Sequence, residues 1–319
     1  MPVYGKNASM SDHQPSNEEL TFTAGLFTVF LCILFGSNAV AIKITFSGIG
    51  VFTTAAIRFS VAAVVIFIWA KITGKKTSLK KGQLHQVLIF SSLFTAQLSL
   101  FYLGLSKSNA SRGTLLANML PFFILFLAHF FIAGDRITRQ KFFGILLGFA
   151  GVVFMFLDKE SLGHGLRTGD LIILCAVFIW SCSTVYLKLV IGTFSPFQLV
   201  MYSTLFSVPF FLIEALLFDD AMVFNIDGPV IGALLYQSLA TASFGFVAWN
   251  NMLKKYGAVS LHAFVFIMPI AGVALGGLLL GEPITFKILL ALVFIVSGIL
   301  VVHWKTREAP PAYPIRRSI

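Results

Sequence analysis

The sequence predicts an all-α integral membrane protein of ten transmembrane helices, arranged as two inverted repeats of five. Three observations predict this fold class. Of the 319 residues, 57% are hydrophobic and 11% are charged, against a charged share of about 25% in ordinary globular proteins. Apolar runs long enough to cross a bilayer recur along the chain. A phrase that follows the fourth run, GDRIT at 134–138, returns after the ninth run as GEPIT at 281–285.

A helix that crosses the hydrocarbon core of a bilayer needs roughly 17–25 apolar residues. The runs that meet this length, numbered below as spans 1 to 10, are 22–44, 51–72, 84–105, 110–133, 139–157, 169–191, 196–217, 229–253, 259–280 and 286–304. Residues 1–20 are polar and include Glu18 and Glu19, so we expect no cleavable signal peptide.

The spans divide into two repeats with short segments around them. We expect an N-terminal tail at 1–21, a first five-helix repeat at 22–157, a loop at 158–168, a second repeat at 169–304 and a C-terminal tail at 305–319.

Matched residues recur at a nearly constant offset between the two halves. Pro121 matches Pro269 at an offset of 148, and Gly151 matches Gly298 at 147. Five is an odd number of spans, so the second repeat enters the membrane from the opposite side to the first. The sequence therefore predicts a pseudo-two-fold axis in the membrane plane, which suits alternating access in a transporter.

Basic residues are distributed unevenly between the two sides of the predicted bundle. Fifteen fall on the side of the two chain ends, and five, including Arg112, fall on the other. This bias predicts that both termini are cytoplasmic. The net charge of +10 is thereby explained by topology, and no nucleic-acid partner is expected. The three cysteines lie inside apolar runs and predict neither a metal site nor a disulfide framework.

Several segments also resemble one known family. Span 1 contains FGSNAVAIKI, and span 2 contains AAIRFSVAA. Spans 4 and 9 end in LPFFILFLAHFFIAGDRIT and MPIAGVALGGLLLGEPIT. Ten spans with this paired pattern of proline, apolar run, glycine, acid and threonine resemble the EamA family of the drug/metabolite transporter superfamily.

The resemblance implies a ten-helix carrier for amino acids or related metabolites, often an exporter, in the inner membrane of a bacterium. Two positions depart from the family pattern. Phe35 stands where the family usually has tryptophan, which removes an indole N–H, and Asp135 replaces the usual glutamate but keeps its charge.

Polar groups inside a membrane are costly and therefore indicate functional sites. An aromatic-lined pocket with a few amides suits amino acids, aromatic metabolites or organic cations. The residues predicted to bind substrate are Asn38, Arg58, Gln97, Thr114, Asn118, Trp180, Tyr186, Gln237, Trp249, Asn250 and His262. Pro121 and Pro269 free backbone carbonyl groups within spans 4 and 9 and are predicted hinges.

Each of these residues also has a structural interpretation. Thr114 and Asn118 share one face of span 4 with Pro121, where they bind substrate or hydrogen-bond a neighbouring helix. His262 couples protons or is a neutral histidine near the inner interface. Arg58, whose position matches the family, contacts a carboxylate substrate, acts in gating, or snorkels to the interface.

The aromatic and acidic residues leave similar alternatives. Trp180 lines the cavity or packs against a neighbouring helix, whereas Tyr186 and Trp249 bind substrate or belong to interfacial belts. Glu214, the main carboxylate predicted inside a span, is assigned an interfacial or structural role.

The sequence therefore predicts a secondary transporter that exports amino acids or related small metabolites by alternating access. No phosphate-binding loop is present, and we expect no catalytic residue, metal or cofactor. The expected partners are a small-molecule substrate and the lipid bilayer. A carrier for phosphorylated or nucleotide-linked metabolites is the alternative, and it requires several basic groups deep in the cavity. A membrane enzyme or a purely structural protein fits less well.

Overall fold

A computed structural model of the chain describes residues 21–74, 78–79, 82–132, 137–157, 164–190, 194, 196–262 and 264–303. The helices are α1 (Phe22–Gly36), α2 (Asn38–Thr45), α3 (Val51–Ile72), α4 (Gln83–Ser106), α5 (Ala110–Ala117), α6 (Leu120–Phe131), α7 (Arg139–Phe156), α8 (His164–Val190), α9 (Pro196–Phe218), α10 (Gly228–Leu235), α11 (Phe246–His262), α12 (Ile267–Leu280) and α13 (Phe286–His303). A π-helical segment, Tyr236–Gly245, joins α10 to α11.

The predicted all-α membrane fold is confirmed. Across the described ranges, nine helical stretches are long and apolar enough to cross a membrane, and α12 is a shorter apolar helix in the position of span 9. Span 9 is shorter than predicted, because α11 continues to His262 and the chain turns before α12 begins at Ile267.

The helices pack in pairs that relate one repeat to the other. Helix α3 packs against α9, α5 against α12, and α7 against α13, so spans 2, 4 and 5 each contact their own counterparts. Helix α4 packs against α8, and the mirrored pair, spans 8 and 1, also pack together. This arrangement agrees with the predicted pseudo-two-fold axis.

Glycines allow close packing where α7 meets α13. A Cβ atom on Gly144 would lie 2.9 Å from the Gly298 carbonyl oxygen, and one on Gly151 would lie 2.8 Å from the Ala291 carbonyl oxygen. The backbones of α7 and α13 are therefore in near contact, as small residues allow between membrane helices.

The threonines of the two repeated phrases begin the last helix of each repeat. The Thr138 side chain accepts a hydrogen bond from the Lys141 N–H at 3.3 Å, and Thr285 accepts one from the Ile288 N–H at 3.3 Å. Each satisfies a backbone donor that a helix start leaves unpaired. Residues 133–136, with Asp135, lie outside the described residues.

We call the end of the bundle opposite the two chain ends the distal face, formed by residues 46–50, 107–109, 219–227 and 281–285. Its segments bond to each other across the repeats. The Gly50 N–H donates to the Met222 carbonyl at 3.0 Å, and the Phe224 N–H donates to the Gly48 carbonyl at 3.0 Å. The distal face is therefore closed by backbone contacts between the halves.

Candidate functional site

Span 1 breaks at Ser37, and the break contacts both span 8 and span 9. The Tyr236 hydroxyl donates at 2.8 Å to the carbonyl of Leu34, whose usual helical donor would be the N–H at position 38. Gly36 lies against span 9, where an added Cβ would stand 2.4 Å from the Met268 carbonyl oxygen. The break is therefore stabilised by the second repeat.

Span 4 breaks in the corresponding region of the first repeat. Helix α5 ends at Ala117, and α6 begins at Leu120 with Pro121 in its first turn. A proline ring clashes with the carbonyl four residues earlier, and here that residue is Ala117. In span 9 the turn before α12 likewise lies just ahead of Pro269. Both predicted hinge prolines thus stand at helix breaks.

Span 8 contains a ten-residue π-helical segment in its middle. The turns of this segment are wider than those of an α-helix. The Ser243 hydroxyl accordingly donates to the Ser238 carbonyl, five residues earlier, at 2.9 Å. π-Helical turns occur frequently at functional sites. This one carries Gln237 and Thr241, which are both buried.

Polar side chains from both repeats, all buried except for the half-buried Asn38, meet beside this π segment. We call them the Arg58 cluster: Asn38, Thr45, Arg58, Tyr102, Gln237 and Thr241. The Arg58 guanidinium donates to the Tyr102 hydroxyl at 3.1 Å and to the Thr241 hydroxyl at 3.4 Å. Arg58 is the eighth residue of α3, so it lies about 10 Å along the helix from the distal end.

Further hydrogen bonds connect the other members of the Arg58 cluster. The Tyr102 hydroxyl donates to Gln237 Oε1 at 3.2 Å, and Gln237 Nε2 donates to Thr45 Oγ1 at 2.7 Å. The Thr241 hydroxyl lies 3.1 Å from Asn38 Oδ1 and 2.7 Å from the Gln237 carbonyl oxygen. Because this hydroxyl has one hydrogen, it donates to only one of these two oxygen atoms at a time. The network therefore joins spans 1, 2 and 3 to span 8.

Arg58 carries a charge that no acid balances within the described part of the chain. Its side chain is 5% exposed, its Nε has no hydrogen-bond partner, and its guanidinium lies 5.1 Å from the Phe59 ring centroid. Arginine stays protonated in proteins. The cluster can therefore bind an anionic group through the unused N–H donors of Arg58.

A second buried arginine lies near the distal face and is fully paired. Arg112 Nε donates to Asp170 Oδ2 at 2.8 Å, and both side chains are 0% exposed. The Ser108 hydroxyl donates to Asp170 Oδ1 at 2.6 Å, and Arg112 also donates to the Met155 carbonyl. This pair ties the start of span 4 to span 6 and to the end of span 5.

Two carboxylates of the second repeat cap helices of the first at the distal face. Glu282 accepts hydrogen bonds from the N–H groups of Ala110 and Ser111 at the start of α5. Asp219 accepts from the Phe52 N–H at 3.2 Å and the Thr53 N–H at 2.8 Å at the start of α3. Negative charge is favourable at a helix N-terminus, so these caps stabilise closure of the distal face.

The sequence matches the model of the EamA-like transporter family over residues 23–157 and 167–304. The chain belongs to this family. The "Uncharacterized transporter YetK" of Bacillus subtilis (strain 168) is 27% identical over 290 residues, 88% of this chain and 86% of that protein.

Two other relatives of this EamA-like transporter carry a more specific name. Both are called a "Probable amino-acid metabolite efflux pump", one from Salmonella typhimurium at 26% identity and one from Escherichia coli (strain K12) at 25%. Each match covers 87% of this chain and 93% of the relative. A solved crystal structure shares the fold with a TM-score of 0.65 and 19% identity, and it covers 88% of this chain and 96% of that one.

Three of the predicted site residues of the EamA-like transporter meet in the Arg58 cluster, namely Asn38, Arg58 and Gln237. Thr114 and Asn118 are buried elsewhere: the Thr114 side chain faces Gly272 of α12, and Asn118 Nδ2 donates to the Thr114 carbonyl at 2.8 Å. The described contacts of these two residues are helix packing and local hydrogen bonding.

The remaining predicted residues make no described contact with the Arg58 cluster. Gln97 is buried, and its Oε1 is unpartnered. Trp180 is 36% exposed. Tyr186 packs in an apolar group around Phe90 and Phe194. Trp249 lies edge-on to the Phe35 ring, with centroids 5.9 Å apart. These positions are spread over several helices rather than gathered in one pocket.

The side chains of Asn250 and His262 lie outside the described residues. The predicted roles of these two residues, including proton coupling by His262, stay predictions.

Thr45, Tyr102 and Thr241, which complete the Arg58 cluster, were not among the predicted substrate-binding residues. The sequence did contain a signal for them. Thr45 lies at the end of span 1, Tyr102 lies near the end of span 3, and Thr241 lies four residues after Gln237.

The assignment of Glu214 as the main carboxylate inside a span was wrong, because Asp170 is the more deeply buried acid. Arg112 was counted with the loop bases, yet it is buried in α5. Glu214 accepts a hydrogen bond from Ser99 at 2.7 Å.

Proposed function

We propose that this chain is a secondary transporter that exports amino acids or related small metabolites by alternating access. One observation carries the proposal: the broken span 1 and the π-helical segment of span 8, from opposite repeats, both contribute to one buried polar cluster. Transporter sites are typically built at the interface of inverted repeats from discontinuous helices. Membership of the EamA-like transporter family supports the same class of function.

We further propose that both chain ends face the cytoplasm of a bacterium and that the protein lies in the inner membrane. The excess of basic residues on the side of the chain ends supports this orientation. The distal face is then the outer face. Its closure by Glu282 and Asp219 supports a state in which substrate reaches the Arg58 cluster from the cytoplasm.

The substrate class rests on two supports. Two relatives are named probable amino-acid metabolite efflux pumps. The Arg58 cluster also has a single cation among its described side chains, together with two amides and three hydroxyls. This chemistry favours amino acids over phosphorylated or nucleotide-linked metabolites, which require several cations for their additional negative charge.

Counterflow in proteoliposomes tests the proposal. Vesicles loaded with one unlabelled amino acid are placed in a trace of the same labelled compound, with empty vesicles as the background. We expect accumulation of label for at least one amino acid, and loss of at least nine-tenths of it in Gln237→Ala. The matched control is Gln140→Ala, since Gln140 lies on α7 and bonds the Val301 carbonyl.

The results separate the candidate functions. Accumulation with phosphorylated compounds only would replace the amino-acid substrate class by the alternative. If none of the amino acids, amines, organic acids or phosphorylated compounds exchanged, the transport proposal would be rejected. Equal loss in Gln140→Ala and Gln237→Ala would move the site away from the Arg58 cluster.

A further inference from the structure

We infer that Arg58 is the receptor for one carboxylate group of the transported molecule. The inference rests on the proposed transport function and specifies the chemistry that its site selects. A free carboxylate is then the required feature of a substrate, whereas the remainder of the molecule is less restricted.

The first step is the charge of Arg58. An arginine within a membrane span is costly, and such residues usually pair with an acid or line a polar path. Arg58 is 5% exposed, and among the described residues it has no acidic neighbour within ion-pair distance. Its hydrogen-bond partners, Tyr102 and Thr241, are neutral hydroxyls. An anion supplied by the substrate would balance the charge.

The second step is the geometry of the donors. A guanidinium binds a carboxylate best through two parallel N–H groups. Nε of Arg58 has no partner, and the bond to Thr241 is long at 3.4 Å. The Nε edge therefore lacks a close acceptor among the described residues, and a carboxylate placed there would make a two-point contact. Arg112 uses the same edge, Nε with one terminal nitrogen, to hold Asp170 in this protein.

The third step is the number of charges. One guanidinium balances one carboxylate, whereas a phosphate monoester carries up to two negative charges near neutral pH. Lys43 does not supply the second cation. Its ammonium lies between the Arg58 cluster and the distal face and donates to the Leu105 carbonyl at 3.2 Å. The cluster is therefore matched to a carboxylate rather than to a phosphate.

The fourth step is the surrounding polar groups. Asn38 Oδ1 and Gln237 Oε1 are acceptors beside the arginine, and each lies within hydrogen-bond distance of a hydroxyl of the network. Both can instead accept from an ammonium or hydroxyl of the bound molecule. A 2-amino acid carries its carboxylate and its ammonium on the same carbon atom, which fits this arrangement of donor and acceptors.

Competition in the counterflow assay tests the inference with matched sets of compounds. One set is L-phenylalanine, L-phenylalaninamide and phenethylamine, and a second is L-leucine, L-leucinamide and isoamylamine. Benzoate and pyruvate are carboxylates without an amine, and phosphoethanolamine, which has no carboxylate, tests the phosphate. We expect carboxylates to exchange or compete at least tenfold better than their amide or amine partners.

Variants of the full chain then assign the effect to Arg58. Arg58→Gln is expected to abolish the preference for the carboxylate member of each set. A thermal unfolding scan in detergent shows whether that variant is folded. We expect its midpoint to be unchanged or raised, because an unbalanced buried charge has been removed. In the wild type, the best carboxylate raises the midpoint, and in Arg58→Gln this increase is lost. Tyr102→Phe serves as a second variant that keeps the charge.

Each result has a distinct meaning. If amides and amines exchange as well as carboxylates, the inference is overturned while the transport function stands. The same holds if Arg58→Gln folds and keeps the preference. If benzoate or pyruvate exchange and no amino acid does, the carboxylate inference holds and the amino-acid assignment falls. Exchange of phosphoethanolamine alone, or of no carboxylate, overturns the inference.

Discussion

Two buried arginines in this transporter have opposite surroundings. Arg112 is 0% exposed and is held by Asp170, and that acid is bonded in turn by Ser108. Arg58 is 5% exposed and is held by hydroxyl groups and an aromatic ring, with Nε unpartnered. The protein supplies a carboxylate that balances the charge of Arg112. Among the described residues, it supplies none for Arg58.

The difference separates the structural role of Arg112 from the binding role proposed for Arg58. The ion pair between Arg112 and Asp170 joins three spans near the distal face, where it fixes how these spans pack. The Arg58 cluster lies deeper, beside a π-helical segment and a broken helix, where the chain is irregular. Neither arginine has a basic counterpart in the other repeat: the offsets of 147 and 148 lead to 205–206 and 259–260, which contain no charged residue.

The largest expected effect is the loss of protein stability when the paired arginine, Arg112, is replaced. Arg112→Gln leaves the Asp170 carboxylate buried without a cation, and breaking a buried ion pair in this way costs about 3–5 kcal/mol. Unfolding in mixed micelles of increasing denaturing detergent measures the loss. Arg58→Gln is the control and is expected to unfold no more readily than the wild type. Equal destabilisation of both variants would contradict the distinction between the two arginines.

A second change would give Arg58 an internal acid and make it resemble Arg112. In Thr241→Asp, a carboxylate replaces the hydroxyl that now lies 3.4 Å from the guanidinium. We expect the half-saturation concentration for exchange to rise by about tenfold or more, equal to at least about 1.4 kcal/mol of binding, with no loss of stability. Thr241→Asn, of similar size and without charge, is the control. An unchanged half-saturation concentration in Thr241→Asp would show that Arg58 does not hold the substrate.

A third change keeps the charge of Arg58 and removes its planar fork. Lysine supplies a point charge without two parallel N–H groups. For Arg58→Lys we expect about a tenfold rise in half-saturation, again about 1.4 kcal/mol, with a smaller change in maximum rate. Concentration series in proteoliposomes separate the two quantities. If lysine were fully equivalent, charge alone would account for binding and the two-point contact would be rejected.

The smallest expected effect lies away from both arginines, at the distal caps. Glu282→Gln removes the charge that faces the start of α5, which is worth about 0.3–1 kcal/mol at a helix N-terminus. We expect the distal face to open about two- to fivefold more often as a result. In a variant without native cysteines, Thr54→Cys reports opening through its reaction rate with a membrane-impermeant thiol reagent. Thr54 is buried in the first turn of α3.

The control for that experiment is Glu214→Gln, which removes a charge from α9 without touching a helix start. A thiol reaction rate that rises equally in both variants would assign the effect to net charge. An unchanged rate in Glu282→Gln would show that the cap does not restrain opening.

Much of the fold could be predicted from local patterns, and less of the site. The ten spans follow from apolar runs whose length is matched to a bilayer. Pro121 and Pro269 were predicted as hinges, and each stands at a helix break, since a proline cannot continue the backbone bonding of a helix. The break at Ser37 and the π segment contain no proline and were not predicted. Both are stabilised by contacts between repeats, such as Tyr236 bonding Leu34.

The sequence by itself determined the membrane class, the number of spans, the internal repeat and the side bias of the charges. These features depend on composition and covalent order, which are local. The tertiary structure alone decided which buried polar groups meet. Arg58 and Thr241 are 183 positions apart, and the spans that carry them are mostly apolar on every side. The rotation of each helix, and hence the partner of each polar group, is set by packing against the other repeat.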